Sequence, residues 1–542
     1  MTSVWSASRT EHAPSSVRVD PSPRVAPRAV GAIVASAVTL CLMALVAAGR
    51  GSPFQPILTP NGRSKGWLRD LARVAGMEDV TGNASLALGV LAAAAAVAAF
   101  VWLLRVARRG EIGLAPIAVV VVAAHVLVFF LPLLFSRDVY SYAYYGRIEG
   151  VYGANPYVAT PLDHSRDLLW TFVGPKWVDT PAVYGPAWTT VSTTLAKVLP
   201  KPIDHVEAYR LLAIVASLAT CAAIVVVTRR MWPERSAYAL AAFGANPIVL
   251  FHSVASGHND LLVALAIVVA VGFVTARWYV AAVLALTLGA LVKATAGLPL
   301  VLLLVWLVAR RPPGERWRAL ARYAVPAALV AIAFAAPYVQ LEDPTLGMLE
   351  LASHEGWLAP SAVIGRLLDV LSFGTLGWLV RLVFGVLLLV AMITLARAIW
   401  RRAADQDVHA VEELVGTWGW SLVLLALLGP VLLPWYVVWA LPLVWLLPRE
   451  PRIALLASSV LLAVTLWSAE PLRFPGAFEL NLFVGRWIVT PILLVLALRA
   501  LRDLRRRAEL GLAFAERRVV VGGVGGGLAQ GEEHVPAPAG HR

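Results

Sequence analysis

"GLAPIAVVVVAAHVLVFFLPLLF" (Gly113–Phe135) is an unbroken apolar run, and "SRDVYSYAYYGRIEGVYGANPY" (Ser136–Tyr157) follows it without a spacer. The first stretch decides the fold class. A hydrocarbon core of ~30 Å is crossed by about 20 apolar residues in a helix, and this run is long enough. The second stretch brings Arg137, Asp138, Arg147, Glu149 and a row of tyrosines to the end of that run. A charged, tyrosine-rich segment at the water–lipid boundary needs an explanation that a simple membrane anchor does not supply.

The rest of the chain repeats the apolar theme. Of 542 residues, 59% are hydrophobic and 15% charged, whereas soluble domains carry about a quarter charged residues. The mean hydropathy of +0.73 points the same way. Apolar runs recur at 29–49, 85–107, 113–135, 206–228, 236–255, 260–276, 278–293, 295–309, 319–338, 376–398, 412–432, 434–448, 453–468 and 483–502. These predict an all-α, polytopic transmembrane helical protein of about fourteen spans, within two either way. The alternating short segments of a transmembrane β-barrel are absent. The short apolar segment 187–199 reads as an interfacial or re-entrant helix.

The net charge of +13 does not point to nucleic acid, because the arginines cluster between apolar runs. Arg105, Arg108 and Arg109, then Arg229, Arg230 and Arg235, then Arg310, Arg311, Arg316, Arg318 and Arg322 mark cytoplasmic loops. Arg397, Arg401 and Arg402 and the run Arg499–Arg507 agree, while the loop 50–84 opposes them. The sum predicts a multi-pass cell-membrane protein with both termini cytoplasmic. It also predicts three regions: a disordered cytoplasmic segment 1–28, a membrane domain 29–502, and a basic, Gly/Pro-rich cytoplasmic tail 503–542. Cys41 and Cys221 lie within apolar runs and form no metal-binding spacing.

With that orientation, 136–205 is a large external loop after the third span. The turns at 256–260, 352–360, 432–436 and 469–476 share its face. Asp138 is read either as a general base or as a structural group that caps a helix or pairs with Arg137. If 138–149 is helical, Asp138, Tyr142, Tyr145 and Glu149 share one face. Asp138 and Glu149 are then about 16 Å apart, too far for a close acid–base pair. The tyrosines read either as an interfacial belt or as a platform for a sugar. "GANPY" (153–157) and "TPAVYGPAW" (180–188) punctuate the loop and add Tyr157 and Tyr184.

"FHSVASGHND" (251–260) places His258, Asn259 and Asp260 at a joint between spans, where they form either part of a site or a helix cap. Lys293 in "LVKATAG" is an intramembrane cation, which marks a function or partner unless it snorkels to the interface. A phosphate group is a natural partner for it. His354, Arg366, Arg473 and Arg486 are further external basic candidates. Trp435, Tyr436 and Trp439 in "LLPWYVVWALPLVW" (432–445) line a groove or, as composition favours, form an aromatic belt.

Taken together, "RDVYSYAYYGRIEGVYGANPY" (137–157), "YGPAW" (184–188), "SGHNDLLVALA" (256–266), "LVKATAGLPL" (291–300) and "LLPWYVVWALPL" (432–443) resemble a known group. They are similar to the polyprenyl-phosphate-mannose-dependent alpha-1,6-mannosyltransferases of actinobacterial type. That group belongs to the C-type glycosyltransferase superfamily, alongside glycosyltransferase family 87. The resemblance implies an outer-leaflet polyprenyl-phosphate-mannose donor, a glycan or lipoglycan acceptor, an external active site and no cofactor. It matches the family's catalytic aspartate to Asp138 and its basic residue to Lys293, with Arg137 and His354 beside the donor phosphate. Tyr142, Tyr145, Glu149, Tyr157, Tyr184, His258, Asn259, Asp260, Trp435 and Tyr436, read from the residues themselves, are the candidate substrate-binding set. Here three spans precede Asp138 and its neighbour is an arginine, whereas superfamily members often place the acid after the first span. A related transferase using arabinose or glucose, and a transporter or lipid flippase, are the alternatives. Asn246-Pro247 inside a span is the best feature for a transporter.

Overall fold

A computed structural model describes residues 26–56, 66–339, 347, 356, 358–403, 409–465 and 472–516. Within them the chain is helical and no strand occurs. The first half comprises α1 (Pro27–Ala48), α2 (Gly66–Val74), α3 (Gly82–Arg108), α4 (Leu114–Phe129), α5 (Asp138–Gly150), α6 (Pro186–Val198), α7 (Pro202–Met231), α8 (Ser236–Gly244) and α9 (Asp260–Thr275). The second comprises α10 (Tyr279–Val292), α11 (Gly297–Ala309), α12 (Arg316–Ala335), α13 (Pro360–Leu371), α14 (Gly377–Arg402), α15 (Ala410–Leu428), α16 (Arg449–Ala463), α17 (Pro475–Val484) and α18 (Thr490–Leu510). Proline opens α1, α6, α7, α13 and α17, where its fixed φ suits the first turn and its missing N–H costs nothing.

Among the described residues, seven helices are long and apolar enough to cross a membrane. An eighth crossing arises if the bent pair Pro233–Gly244 and Ile248–Val254, at 42°, is one span. Leu114–Phe129, Asp260–Thr275, Tyr279–Val292 and Ala294–Ala309 are shorter apolar helices. The protein is therefore polytopic and all-α, as the apolar runs predict. A 16-residue helix rises only about 24 Å. The run 434–448 is not a span at all: Pro434–Trp439 and Leu441–Leu443 are short 3-10 turns buried in the bundle. Hydropathy reports that these residues avoid water; it does not report whether lipid or protein surrounds them.

The bend at Asn246-Pro247 also has a local cause. The Asn246 amide donates to Ala242 O and Ser459 Oγ, and its oxygen accepts from the Ile248 N–H. The side chain is thus consumed in stabilising the kink, and the transporter alternative loses its main support.

The loop after α4 is folded. Residue 138 starts α5, which lies against α6 so closely that a Cβ on Gly146 would stand 2.2 Å from the Ser192 carbonyl oxygen. Short 3-10 turns at Pro161–His164, Leu168–Phe172 and Pro175–Trp177 join the two helices. Part of the expected tail belongs to the bundle: 503–510 extend α18, Phe514 is fully buried, and Glu516 pairs with Arg235 at 2.6 Å.

Candidate active site

Four stretches distant in sequence meet at one end of the helices. The first is the start of α5. The α4 helix stops at Phe129, the chain runs non-helically through Arg137, and α5 begins at Asp138. The Ser136 hydroxyl accepts the Asp138 N–H at 3.1 Å, so the N-terminus is held by serine and not by the aspartate, which leaves the carboxylate free of a capping role. Arg137 sits half-buried at the N-cap position.

The second stretch is the turn 255–259. Gly257 takes φ +67°, which glycine adopts without strain, and a Cβ there would also strike Val139. The tight turn lays His258 beside Asp138, with Nδ1 3.6 Å from Oδ2. This is a contact longer than a hydrogen bond. The same Nδ1 lies 3.3 Å from the Tyr142 hydroxyl. The His258 ring stacks on Trp435 at 3.8 Å between centroids. Asn259 makes no side-chain cap on α9, contrary to the cap reading.

Lys293 supplies the third stretch. It occupies the break between α10 and α11 in an extended conformation. Its Nζ lies 2.8 Å from Asp260 Oδ1, and both side chains are buried. The same oxygen accepts the Trp439 indole N–H at 2.6 Å. Lys293 Nζ also sits 4.3 Å above the Tyr436 ring and 5.2 Å from that of Trp439. Snorkelling is therefore the wrong reading, because the ammonium is held inside. The aromatic-belt reading fails for the same reason: Trp435, Tyr436 and Trp439 are buried against charged groups rather than facing headgroups. The fourth stretch is this Pro434–Trp439 turn itself.

The electrostatics follow from burial. Desolvation pushes the Asp138 carboxyl up to about 6. Hydrogen bonding from Ser136, the Lys293 charge and the Tyr184 hydroxyl oppose the rise, and Asp260 adds to it. Burial also drives the His258 imidazole well below its ordinary value, aided by Lys293 and His252, so the ring is neutral. A pocket of about 650 Å3, measured out to solvent, opens beside the cluster; Lys293, Thr295, Val183, Tyr436, Trp439 and Pro430 are in its wall. His258 Nε2, both amide atoms of Asn259 and Asp260 Oδ2 are buried without a hydrogen-bond partner among the described residues.

Other predicted residues go elsewhere. Glu149 accepts from Thr193 Oγ1 and, at 2.7 Å, from the Tyr338 hydroxyl, so it ties α5 to α6 and to the end of α12. Tyr145 donates to Thr180 O, and Tyr157 to Tyr184 O. Tyr142, Tyr184, Trp188 and Tyr209 pack edge-on or tilted in one buried cluster. Hence Tyr145, Tyr157 and Glu149 stabilise the loop, and their rings and carboxylate are not an exposed sugar platform. His354 lies outside the described residues. Arg366 donates to Gly356 O, and Arg473 to Ser52 O. Sequence reasoning passed over Ser136, Ser256 and Arg210. Arg210 carried a signal, an arginine within the apolar run of α7.

The family model for "Alpha-(1->6)-mannopyranosyltransferase, N-terminal domain" matches residues 33–310, just over half the chain. The chain belongs to this family. A second model, "MptB C-terminal domain", matches residues 360–507 of this mannopyranosyltransferase-family chain. Among curated proteins, Alpha-(1->6)-mannopyranosyltransferase A of Mycobacterium tuberculosis is 27% identical over 375 residues, covering 66% of this chain and 69% of the relative. No solved structure matches. The family member is thus a multi-pass membrane glycosyltransferase. Its cluster draws on both matched regions, since Asp138, His258, Asp260 and Lys293 lie in the first, and Trp435, Tyr436 and Trp439 in the second.

Proposed function

We propose that this transferase moves a mannosyl residue from polyprenyl-phosphate-mannose to a growing alpha-1,6-linked mannan or lipoglycan, on the external face of the membrane. The observation that carries the reading is the convergence of Asp138, His258 and the Lys293–Asp260 pair, with Lys293 in the wall of an open pocket. Asp138 is the base. As the acceptor hydroxyl oxygen bonds to the anomeric carbon, its proton passes to the Asp138 carboxylate. The bond from that carbon to the phosphate oxygen breaks, and the electron pair leaves with the lipid phosphate. Lys293 stabilises the charge developing there; its ammonium has three donors, and Asp260 occupies one. A β-linked donor then gives an α-linked product by inversion, in a single displacement.

His258, held neutral against Trp435, packs beside the carboxylate without competing for its proton. His258 Nε2 and the Asn259 amide remain to bind acceptor hydroxyls. Leu425 and Val431 give the pocket the apolar wall that the lipid chain needs.

The test is Asp138→Asn, which keeps shape and removes the base. Transfer from polyprenyl-phosphate-mannose in membranes should fall by about 10²–10⁴-fold while the protein inserts normally. Near-normal transfer would remove Asp138 as base. Transfer from a nucleotide-mannose, or from the arabinose or glucose lipid phosphate in preference to the mannose one, would overturn the donor assignment.

A further inference from the structure

Arg210 lies in α7 and is only 3% exposed. Its guanidinium spends its donors on three main-chain carbonyls. It donates to Leu131 O and, at 2.8 Å, to Pro132 O; Nε and a terminal nitrogen donate to Ala255 O at 3.2 and 3.1 Å. Leu131 and Pro132 belong to the non-helical break between α4 and α5, and Ala255 opens the turn that carries His258. Ser256 adds a second link, its hydroxyl donating to Leu134 O at 2.6 Å. Between them, Phe135 at φ +58° stacks on His252 at 4.2 Å. The carbonyls at a broken helix end must find partners when buried, and these two side chains supply them.

The bonds do more than satisfy a helix end. Leu134 is four residues before Asp138, and Ser256 two residues before His258. The break and the turn are therefore fastened together immediately next to the two groups that face each other across 3.6 Å. A planar guanidinium suits this because it reaches several acceptors in fixed directions, which a lysine ammonium does not. We propose that Arg210 and Ser256 are positioning residues that lock the Leu131–Arg137 break onto the Ala255–Asn259 turn and so hold the Asp138 carboxylate at His258. This rests on the reading of Asp138 as the base.

The experiment compares Arg210→Lys, Ser256→Ala and a control, Ser217→Ala, in the full-length protein. Ser217 lies on the same helix, about two turns beyond Arg210, and its hydroxyl bonds His125 at 2.8 Å. Rates are taken per folded protein, with KM for the donor and a full pH profile. Arg210→Lys should lower kcat by roughly 10- to 100-fold, as expected for a displaced catalytic group. Donor KM should stay within about twofold. The acid limb should fall below about 6, because the loosened carboxylate gains solvent. Ser256→Ala should move both quantities the same way by less, and Ser217→Ala should alter thermal stability alone. The proposal is overturned by an unmoved acid limb in both site variants, by a rate loss no greater than the loss of folded protein, or by an equal shift in Ser217→Ala. If Arg210→Lys does not accumulate, Ser256→Ala decides. An inactive Asp138→Asn with an unmoved Arg210→Lys profile defeats the clamp alone. An active Asp138→Asn defeats the base assignment instead.

Discussion

Lys293 and Asp260 form the most consequential pair to break. At 2.8 Å and an effective dielectric constant of about 20, their attraction is roughly 6 kcal/mol before desolvation is subtracted. Removing one partner strands a buried charge, at a cost of about 3–5 kcal/mol. Lys293→Met leaves Asp260 with only the Trp439 N–H on its paired oxygen, so the full cost is expected. Asp260→Asn should be milder, because the lysine keeps the Tyr436 and Trp439 rings, worth about 2 kcal/mol when desolvated. The double variant, Lys293→Met with Asp260→Asn, carries no stranded charge. It should recover stability and show a coupling energy of at least about 2 kcal/mol. Denaturant unfolding in detergent, followed by tryptophan fluorescence, measures this. Mannosyl transfer, assayed in parallel, separates structure from chemistry. Stability should return in the double variant and transfer should not, since the phosphate has lost its cation. Single variants that each cost under about 1 kcal/mol would refute the pair as a strut. Full transfer by the double variant would refute Lys293 as the donor's partner.

Three further outcomes are expected. With the Asp138 carboxyl raised from 3.8 to about 6, its ionised fraction falls about tenfold between pH 7 and 5, and kcat/KM should follow. Stability moves oppositely: burial penalises the charged form, so the contribution present below pH 3.8 is lost as pH rises through 6, by about 3 kcal/mol. A pH-independent rate over this range would contradict the base assignment. Gly146→Val drives a side chain into the α6 backbone at Ser192 and should destabilise the protein by about 1–3 kcal/mol or more, visible as a lowered unfolding midpoint. An unchanged midpoint would show that α5 and α6 part freely.

Long spans were legible in the sequence because their lipid-facing surface needs no partner to explain it. The runs at 29–49, 85–107, 206–228 and 376–398 became α1, α3, α7 and α14 within a few residues. The run at 434–448 misled because Trp435, Tyr436 and Trp439 are apolar for a different reason, namely the burial of a charge. Asp138, His258 and Lys293 could each be picked out by type and place. Their adjacency could not, since it depends on Gly257, Ser136 and the break at Lys293 bending three turns toward one point. The tyrosines of α5 had two sequence readings, belt and sugar platform. Tyr145 took neither, and nor did Tyr157 beyond the helix, because side-chain hydroxyls found loop carbonyls once the loop folded on itself.

The order in which the ribosome delivers these pieces has its own consequence. Asp138, His258, Asp260 and Lys293 emerge in the first 293 residues, but the indole and phenol that hold the ion pair arrive only with Trp439 and Tyr436. Until then Lys293 and Asp260 lack their aromatic cover and His258 lacks the ring it stacks on. A nascent chain paused before that point carries every charged group of the centre in an unassembled state. On the proposed mechanism, the site is therefore complete only once the Pro434 turn has joined the bundle.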